Sequence, residues 1–313
     1  HGPNPINEVP DALRIQKWMK AQNVDGIVAV QKRMIYRYDN SYLRERLSYD
    51  LYRAMGIVAP RAAWAKLRVN GEDQGLFGMV EQPDGPFTKD RFPASPDGNL
   101  YKEVWPGKAD EALMTSRLET NTKTADVSAF KAFADALAAT TSDVEARAVL
   151  GQYMDLDYLA RYMAVDDAIA NFDGPITYYT GDNPAEAGNH NFFVYEEAPT
   201  KFTMIPWDLE STLSLSSRYG NVPTWQETNV DCTRKYPVWG GENQVIAPGC
   251  DRMFRAMAYD LTAYQAAARA LLDTHFAVAN MEAAIAQHVA FIRAAAIADP
   301  HGPGEKSFEE AVG

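Results

Sequence analysis

Two aspartates stand where a carboxylate can do chemistry. Asp173 lies in Asn171-Phe172-Asp173-Gly174-Pro175, directly after a long helical pattern. The Gly-Pro that follows forces a turn and leaves the carboxylate at the helix exit. Asp208 lies in Ile205-Pro206-Trp207-Asp208-Leu209-Glu210, at the end of a short apolar strand. A carboxylate at the edge of an apolar wall can hold a divalent cation, and magnesium takes one or two carboxylates together with phosphate oxygens. One aspartate that accepts a hydroxyl proton and a second that binds magnesium against phosphates would serve phosphoryl transfer. From spacing alone, each reads first as an ordinary cap or turn residue.

The elements that must position them can be read along the chain. A short helix is expected over Asp11–Met19, and Ile27–Tyr38 alternates loosely as a strand would. Asp39-Asn40-Ser41 is a cap signal, and Leu43, Leu47 and Leu51 recur every four residues up to Gly56, which predicts a helix. Ala63–Val69 and Gly75–Glu81 read as a hairpin about the Asn70-Gly71 turn. Pro83, Gly85 and Pro86 then break the pattern, and the Gln82–Pro86 segment divides a β-rich part (1–84) from a mostly helical part (85–313). A strand-like piece follows at Asn99–Lys102. Val127–Ala139 and Asp157–Asn171 predict helices, and Phe192–Tyr195 and Phe202–Ile205 predict two short strands. Residues 215–250 read as a long irregular loop, and helices are expected over Tyr259–Thr274 and Ala279–Ala296. Aromatics in that loop (Tyr219, Trp225, Tyr236, Trp239) either form a substrate platform or pin the loop down.

The bulk composition narrows the function. A chain of 313 residues with 46% apolar character supports one large domain or two lobes. A net charge of −12 argues against general nucleic-acid binding and favours a cationic partner. No apolar stretch approaches the roughly 18 residues that a bilayer span needs. The two cysteines, Cys232 and Cys250, bracket a Gly/Pro/Trp-rich loop. They either close it as a disulfide, pointing to an oxidising compartment, or remain buried thiols. The histidines show no zinc-ligand spacing, and no P-loop, Rossmann or Ser-His-Asp motif is present.

An ordered series of segments carries a resemblance. Tyr42-Leu43-Arg44-Glu45-Arg46-Leu47-Ser48-Tyr49-Asp50-Leu51-Tyr52-Arg53 opens it, followed by Ala59-Pro60-Arg61, Val69-Asn70-Gly71-Glu72, Gly75-Leu76-Phe77 and Val80-Glu81. Asn99-Leu100-Tyr101-Lys102, Asn171-Phe172-Asp173, His190-Asn191-Phe192-Phe193-Val194-Tyr195 and Pro206-Trp207-Asp208-Leu209-Glu210 complete it. From Tyr42 to about Leu213 the chain resembles the CotH (spore coat protein H) family of atypical secretory protein kinases. The resemblance implies an α+β, two-lobed, kinase-like fold with a small β-rich N-lobe and a larger helical C-lobe. It implies phosphorylation of Ser or Thr on secreted or surface proteins with ATP and Mg2+, or Mn2+ in its place, and a location outside the cell or at the spore surface. By position, Asp173 matches the catalytic base, Asp208 the metal-binding aspartate and Asn191 the second metal ligand. Glu210 stands where the family more often has Asp, so its metal role is an extension. On the nucleotide side, kinase logic requires a cation held by a helix acid. Glu45 is the acid, Lys32 or Arg33 the cation, and Lys102 and Glu81 match positions near the cleft.

The sequence also departs from kinase pattern. Protein kinases place the metal-binding Asn five residues after the catalytic Asp, whereas Asp173 and Asn191 are eighteen apart. The turn formers of Thr180–Asn189 read as a bulging loop that returns Asn191 to the metal. No Gly-x-Gly-x-x-Gly loop is found, and the region before Tyr42 is short for a kinase N-lobe. Two other readings stand beside the kinase one, the first allowed by the resemblance itself and the second drawn from the same acids. One is a surface adhesion protein on this fold whose function survives loss of both aspartates. The other is a metal-dependent phosphohydrolase, which would need a further carboxylate-rich metal site.

Overall fold

The computed structural model describes residues 39–107, 110–181, 187–214, 221–241 and 243–313. The expected elements at Asp11–Met19 and Ile27–Tyr38, and the residues Lys32 and Arg33, lie outside the described residues.

The fold is α+β. Helix α1 (Arg44–Ala54) starts where the Asp39-Asn40-Ser41 signal places it. The Asp39 carboxylate accepts from the amides of Ser41 at 2.9 Å and Arg44 at 2.8 Å. Strands β1 (Ala62–Val69) and β2 (Glu72–Val80) form the expected antiparallel hairpin. Asn70 and Gly71 both take positive φ (53° and 87°), as a two-residue hairpin turn demands. Gln82–Pro86 leads from β2 into α2 (Gly85–Arg91), capped by Asp84.

Strand β3 (Leu100–Lys102), helix α3 (Glu111–Ser116), and helices α4 (Ser128–Ala138), α5 (Asp143–Tyr153) and α6 (Leu156–Ala168) come next. Sequence periodicity missed α5, although a capping box (Ser142 with Glu145) marks its start. Strand β4 (Tyr178–Tyr179) precedes β5 (Phe192–Ala198) and β6 (Lys201–Pro206). The strands β3, β5 and β6 make one antiparallel sheet in the order β3-β5-β6.

The stretch 215–250 departs from the expected irregular loop. It contains β7 (Tyr236–Val238) and β8 (Asn243–Ile246), and β8 lies between β7 and β4 in a second three-stranded sheet. Cys232 and Cys250 are joined as a disulfide around these strands. The helix expected over Tyr259–Thr274 is α8 (Thr262–Asp273), preceded by a separate α7 (Arg252–Ala258) capped by Asp251. Helices α9 (Val278–Ile297) and α10 (Glu305–Val312) follow.

The main core runs from Tyr49 and Tyr52 on α1 through Phe130 and Phe133 on α4 to Phe192, Phe202 and Phe254. A second cluster joins the two ends of the described chain. Tyr42, Leu43, Leu47 and Leu76 pack with Ile292, Ala296 and Phe308. Asp299 reinforces this junction, accepting from the Leu76 amide at 2.9 Å and the Tyr42 hydroxyl at 3.2 Å. Gly75, at φ 91°, leaves the space that the Asp299 carboxylate fills.

Candidate active site

The β5–β6 hairpin brings Asn191 and Asp208 together. Phe192 pairs with Pro206, so the residue before β5 and the residues after β6 share the open end of the hairpin. The Trp207 amide donates to the Asn191 carbonyl at 3.1 Å. Asn191 and Asp208 both adopt left-handed backbone, with φ of 62° and 56°. That conformation is uncommon for non-glycine residues, and it turns both side chains out of the strand repeat.

Asp173 reaches the same place from α6. The chain leaves the helix through Ala170 (φ 51°) and turns through Asn171–Gly174, where the Gly174 amide donates to the Asn171 carbonyl at 3.2 Å. A Cβ at Gly174 would overlap the Asn171 amide side chain and push it off Asp166, to which it donates at 2.8 Å. The Asn191 side-chain NH2 donates to the Asp173 carbonyl at 2.7 Å and to its carboxylate at 3.2 Å. The Tyr179 hydroxyl donates to the other carboxylate oxygen at 2.5 Å. Burial raises the Asp173 carboxyl above its ordinary value. The Tyr179 bond and the His190 charge pull it down, while the Asp208 charge adds to the rise.

Helix α1 supplies the third side. Residues 45, 48, 49 and 52 share one face, by the i, i+3, i+4, i+7 spacing, and all four carry polar groups inward. Ser48 bonds Thr212 at 2.6 Å, the Tyr49 hydroxyl accepts from the Asp208 amide at 3.1 Å, and the Tyr52 hydroxyl donates to Asp166 at 2.6 Å. Glu45 brings its carboxylate to Asp208 and Glu210, so that one ligand oxygen from each lies within 4.8 Å of the others. Glu45 and Glu210 are buried. Burial and then the Asp208 charge push the Glu45 carboxyl up to about 8. The same two causes lift Glu210 well above the usual carboxylate range.

Three carboxylates this close repel one another unless a proton or a cation intervenes. Among the described residues, no Lys or Arg forms an ion pair with any of the three. One oxygen each of Asp208 and Glu210 is buried without a hydrogen-bond partner. Oxygen-only donors in this number, with unfilled lone pairs, fit a hard divalent cation such as magnesium.

The other expected residues fall as follows. Lys102 ends β3, beside Glu103. Glu103 takes positive φ (56°), and its carboxylate accepts from Arg117 at 2.9 Å and from the Asn191 amide at 3.4 Å. Burial alone would raise the Glu103 carboxyl, but His190 and the Lys102 charge hold it below its usual value. Lys102 therefore stands one residue from the site's edge. Glu81 lies apart from the acidic trio, engaged by Arg61 and by Arg91, the latter at 2.6 Å. Trp225 pins its loop, its indole donating to Asp167 at 2.9 Å. Glu103, Tyr49 and Tyr179 were not singled out from the sequence. The helical spacing of Glu45 and Tyr49 was the one local signal that could have found any of them.

Taken together, this is a carboxylate-rich, cation-ready site on an α+β frame, with a hydrogen-bonded aspartate beside it. A family model described as CotH kinase protein matches residues 36–312, and the chain belongs to that family. The chain is 26% identical over 187 residues to the inner spore coat protein H of Bacillus subtilis (strain 168), across 56% of this chain and 47% of that protein. The chain thus spans about half the length of the curated relative it matches.

Proposed function

We propose that this protein is a Ser/Thr protein kinase that uses ATP and Mg2+, or Mn2+, and acts on secreted or surface proteins. The observation that carries this reading is Asp173, held by Asn191, within reach of the Asp208 charge, where half-buried Asp208 meets the buried Glu45 and Glu210. Family membership supports it, and the spore-coat name of the relative supports a place at the cell or spore surface. The two-lobed arrangement, with the division at 84/85, belongs to the same proposal. So does the acidic chain's preference for a basic protein substrate.

Asp208 and Glu210 would hold the metal. The amide oxygen of Asn191 is left for the same purpose, because its NH2 group is used on Asp173. When bound, the metal supplies charge neutralisation for the phosphates. Asp173 orients the Ser or Thr hydroxyl and accepts its proton as that oxygen bonds to the γ-phosphorus and ADP departs. Asn191 and Tyr179 keep the carboxylate aimed. Lys102 lies on the nucleotide side of this arrangement, and Lys32 or Arg33 remains the proposed phosphate cation, held by Glu45. Glu81 is proposed at the margin of the cleft.

The test is transfer of labelled γ-phosphate from ATP to a basic protein, with Mg2+ and with Mn2+. Transfer that is lost in Asp173→Asn and Asp208→Ala supports the reading. No turnover with any metal, or a surface-binding activity that survives both substitutions, overturns it. Release of phosphate to water without transfer would make the site a phosphohydrolase.

A further inference from the structure

The candidate base has a support that reaches into the disulfide-closed loop. The Tyr179 hydroxyl donates to Asp173 at 2.5 Å, and the Trp239 indole N–H donates to that hydroxyl at 2.5 Å. A hydroxyl has one proton and can accept as well as donate. Accepting from Trp239 leaves the Tyr179 proton committed to Asp173. Trp239 holds a left-handed backbone (φ 55°), followed by Gly240 and Gly241 at positive φ. A bulky residue there is strained and persists only where its surroundings fix it.

The surroundings that fix it are visible. Val238 pairs with Asn243 and Tyr236 with Val245, and Val245 pairs on its other side with Tyr179 itself. One short sheet therefore carries both Tyr179 and the strand that leads into Trp239. The Cys232–Cys250 disulfide closes the chain around β7, Trp239 and β8.

We propose that Tyr179 and Trp239 are positioning residues for Asp173, and that the Cys232–Cys250 loop holds them in place. This rests on Asp173 being the base. The relay fixes one carboxylate oxygen through Tyr179, while Asn191 fixes the other. Removing the relay lets the carboxylate rotate away from the hydroxyl it must meet, so turnover falls without loss of nucleotide affinity.

The experiment is a double-mutant cycle on the oxidised, metal-loaded protein, read as kcat and as KM for ATP. Tyr179→Phe should lower kcat about 10- to 100-fold with KM unchanged, the scale of a misplaced catalytic group. Trp239→Phe should lower it less, and the double variant should match Tyr179→Phe alone, because Trp239 acts through that hydroxyl. Reduction of the disulfide should lower kcat in the wild type and have no further effect in Tyr179→Phe. In the metal-free protein, the Trp239 indole N–H resonance should move upfield in Tyr179→Phe. Unchanged kcat in Tyr179→Phe while Asp173→Asn is inactive would overturn the relay and leave the base intact. Additive losses in the double variant, or a change confined to melting temperature and KM, would also overturn it. Full turnover in Asp173→Asn would remove the base, and the relay with it. Should Tyr179→Phe fail to fold, Trp239→Phe and disulfide reduction make the same decision.

Discussion

At the scale of single residues, the two aspartates differ in what surrounds them. Asp173 has both carboxylate oxygens engaged by donors, whereas one Asp208 oxygen is buried with none. The donors fix the direction of the Asp173 carboxylate, as a positioned base needs, while burial keeps it basic. The bare Asp208 oxygen leaves a lone pair for a cation. The expected consequence is a separation of effects. Asp173→Asn lowers kcat about 100-fold or more, the usual share of a general base, while Mg2+ still raises the melting temperature. Asp208→Ala abolishes that metal-dependent rise as well as turnover, and calorimetric titration with Mg2+ checks the difference.

Glu45 gives a pH dependence whose sign can be worked out. Its folded value is about 8 against an ordinary 4.5. The folded state therefore holds a proton that the unfolded chain releases. That contribution to stability is fully present below about 4.5 and is lost as pH rises towards 8, at about 1.4 kcal/mol per pH unit at most. Urea unfolding in a chelator should show this decline. Glu45→Gln should lessen its slope in the same window, the rest coming from Asp166 and Glu210, which burial also raises, and saturating Mg2+ should lessen it too. A chelated wild type whose stability rises steadily from pH 5 to 8 would contradict a protonated, buried Glu45.

At the scale of elements, α1 is the organiser. One face feeds apolar side chains to the core, and another offers Glu45, Ser48, Tyr49 and Tyr52 to the loops that carry Asp208, Thr212 and Asp166. Tyr49 fixes the Asp208 backbone, where the chain is already in a costly left-handed conformation. Tyr49→Phe should therefore weaken Mg2+ binding about 10-fold with little change in fold, the effect expected of an outer support for a metal ligand. Far-ultraviolet circular dichroism with metal titration makes the measurement.

At the scale of the molecule, two devices close the fold. The C-terminal helices return to the first hairpin and α1, where Phe308 is fully buried against Tyr42. Phe308→Ala should cost about 3 kcal/mol or more, the range for an emptied aromatic core site, and chemical denaturation measures it. The disulfide closes a loop of 18 residues' separation. Its reduction should cost about 3 kcal/mol on the chain-entropy account, visible as a lower melting temperature in reductant.

Much of this was written locally in the chain. The Asn70-Gly71 turn, the cap before α1 and the apolar pairs of β5 and β6 are short-range signals, and each produced its element. The order of segments from Tyr42 to Glu210 identified the family and chose Asp173, Asn191 and Asp208. The sequence could not determine what depends on partners far along the chain. β7 and β8 are too short to show a period, and exist because β4 and a disulfide hold them. Glu45 was read as an acid for a cation, yet among the described residues its neighbours are two further carboxylates. Tyr179 and Glu103 carry no local mark at all. Their roles arise because hydrogen bonds and charge interactions fall off within a few ångströms, and only the folded chain brings those ångströms about.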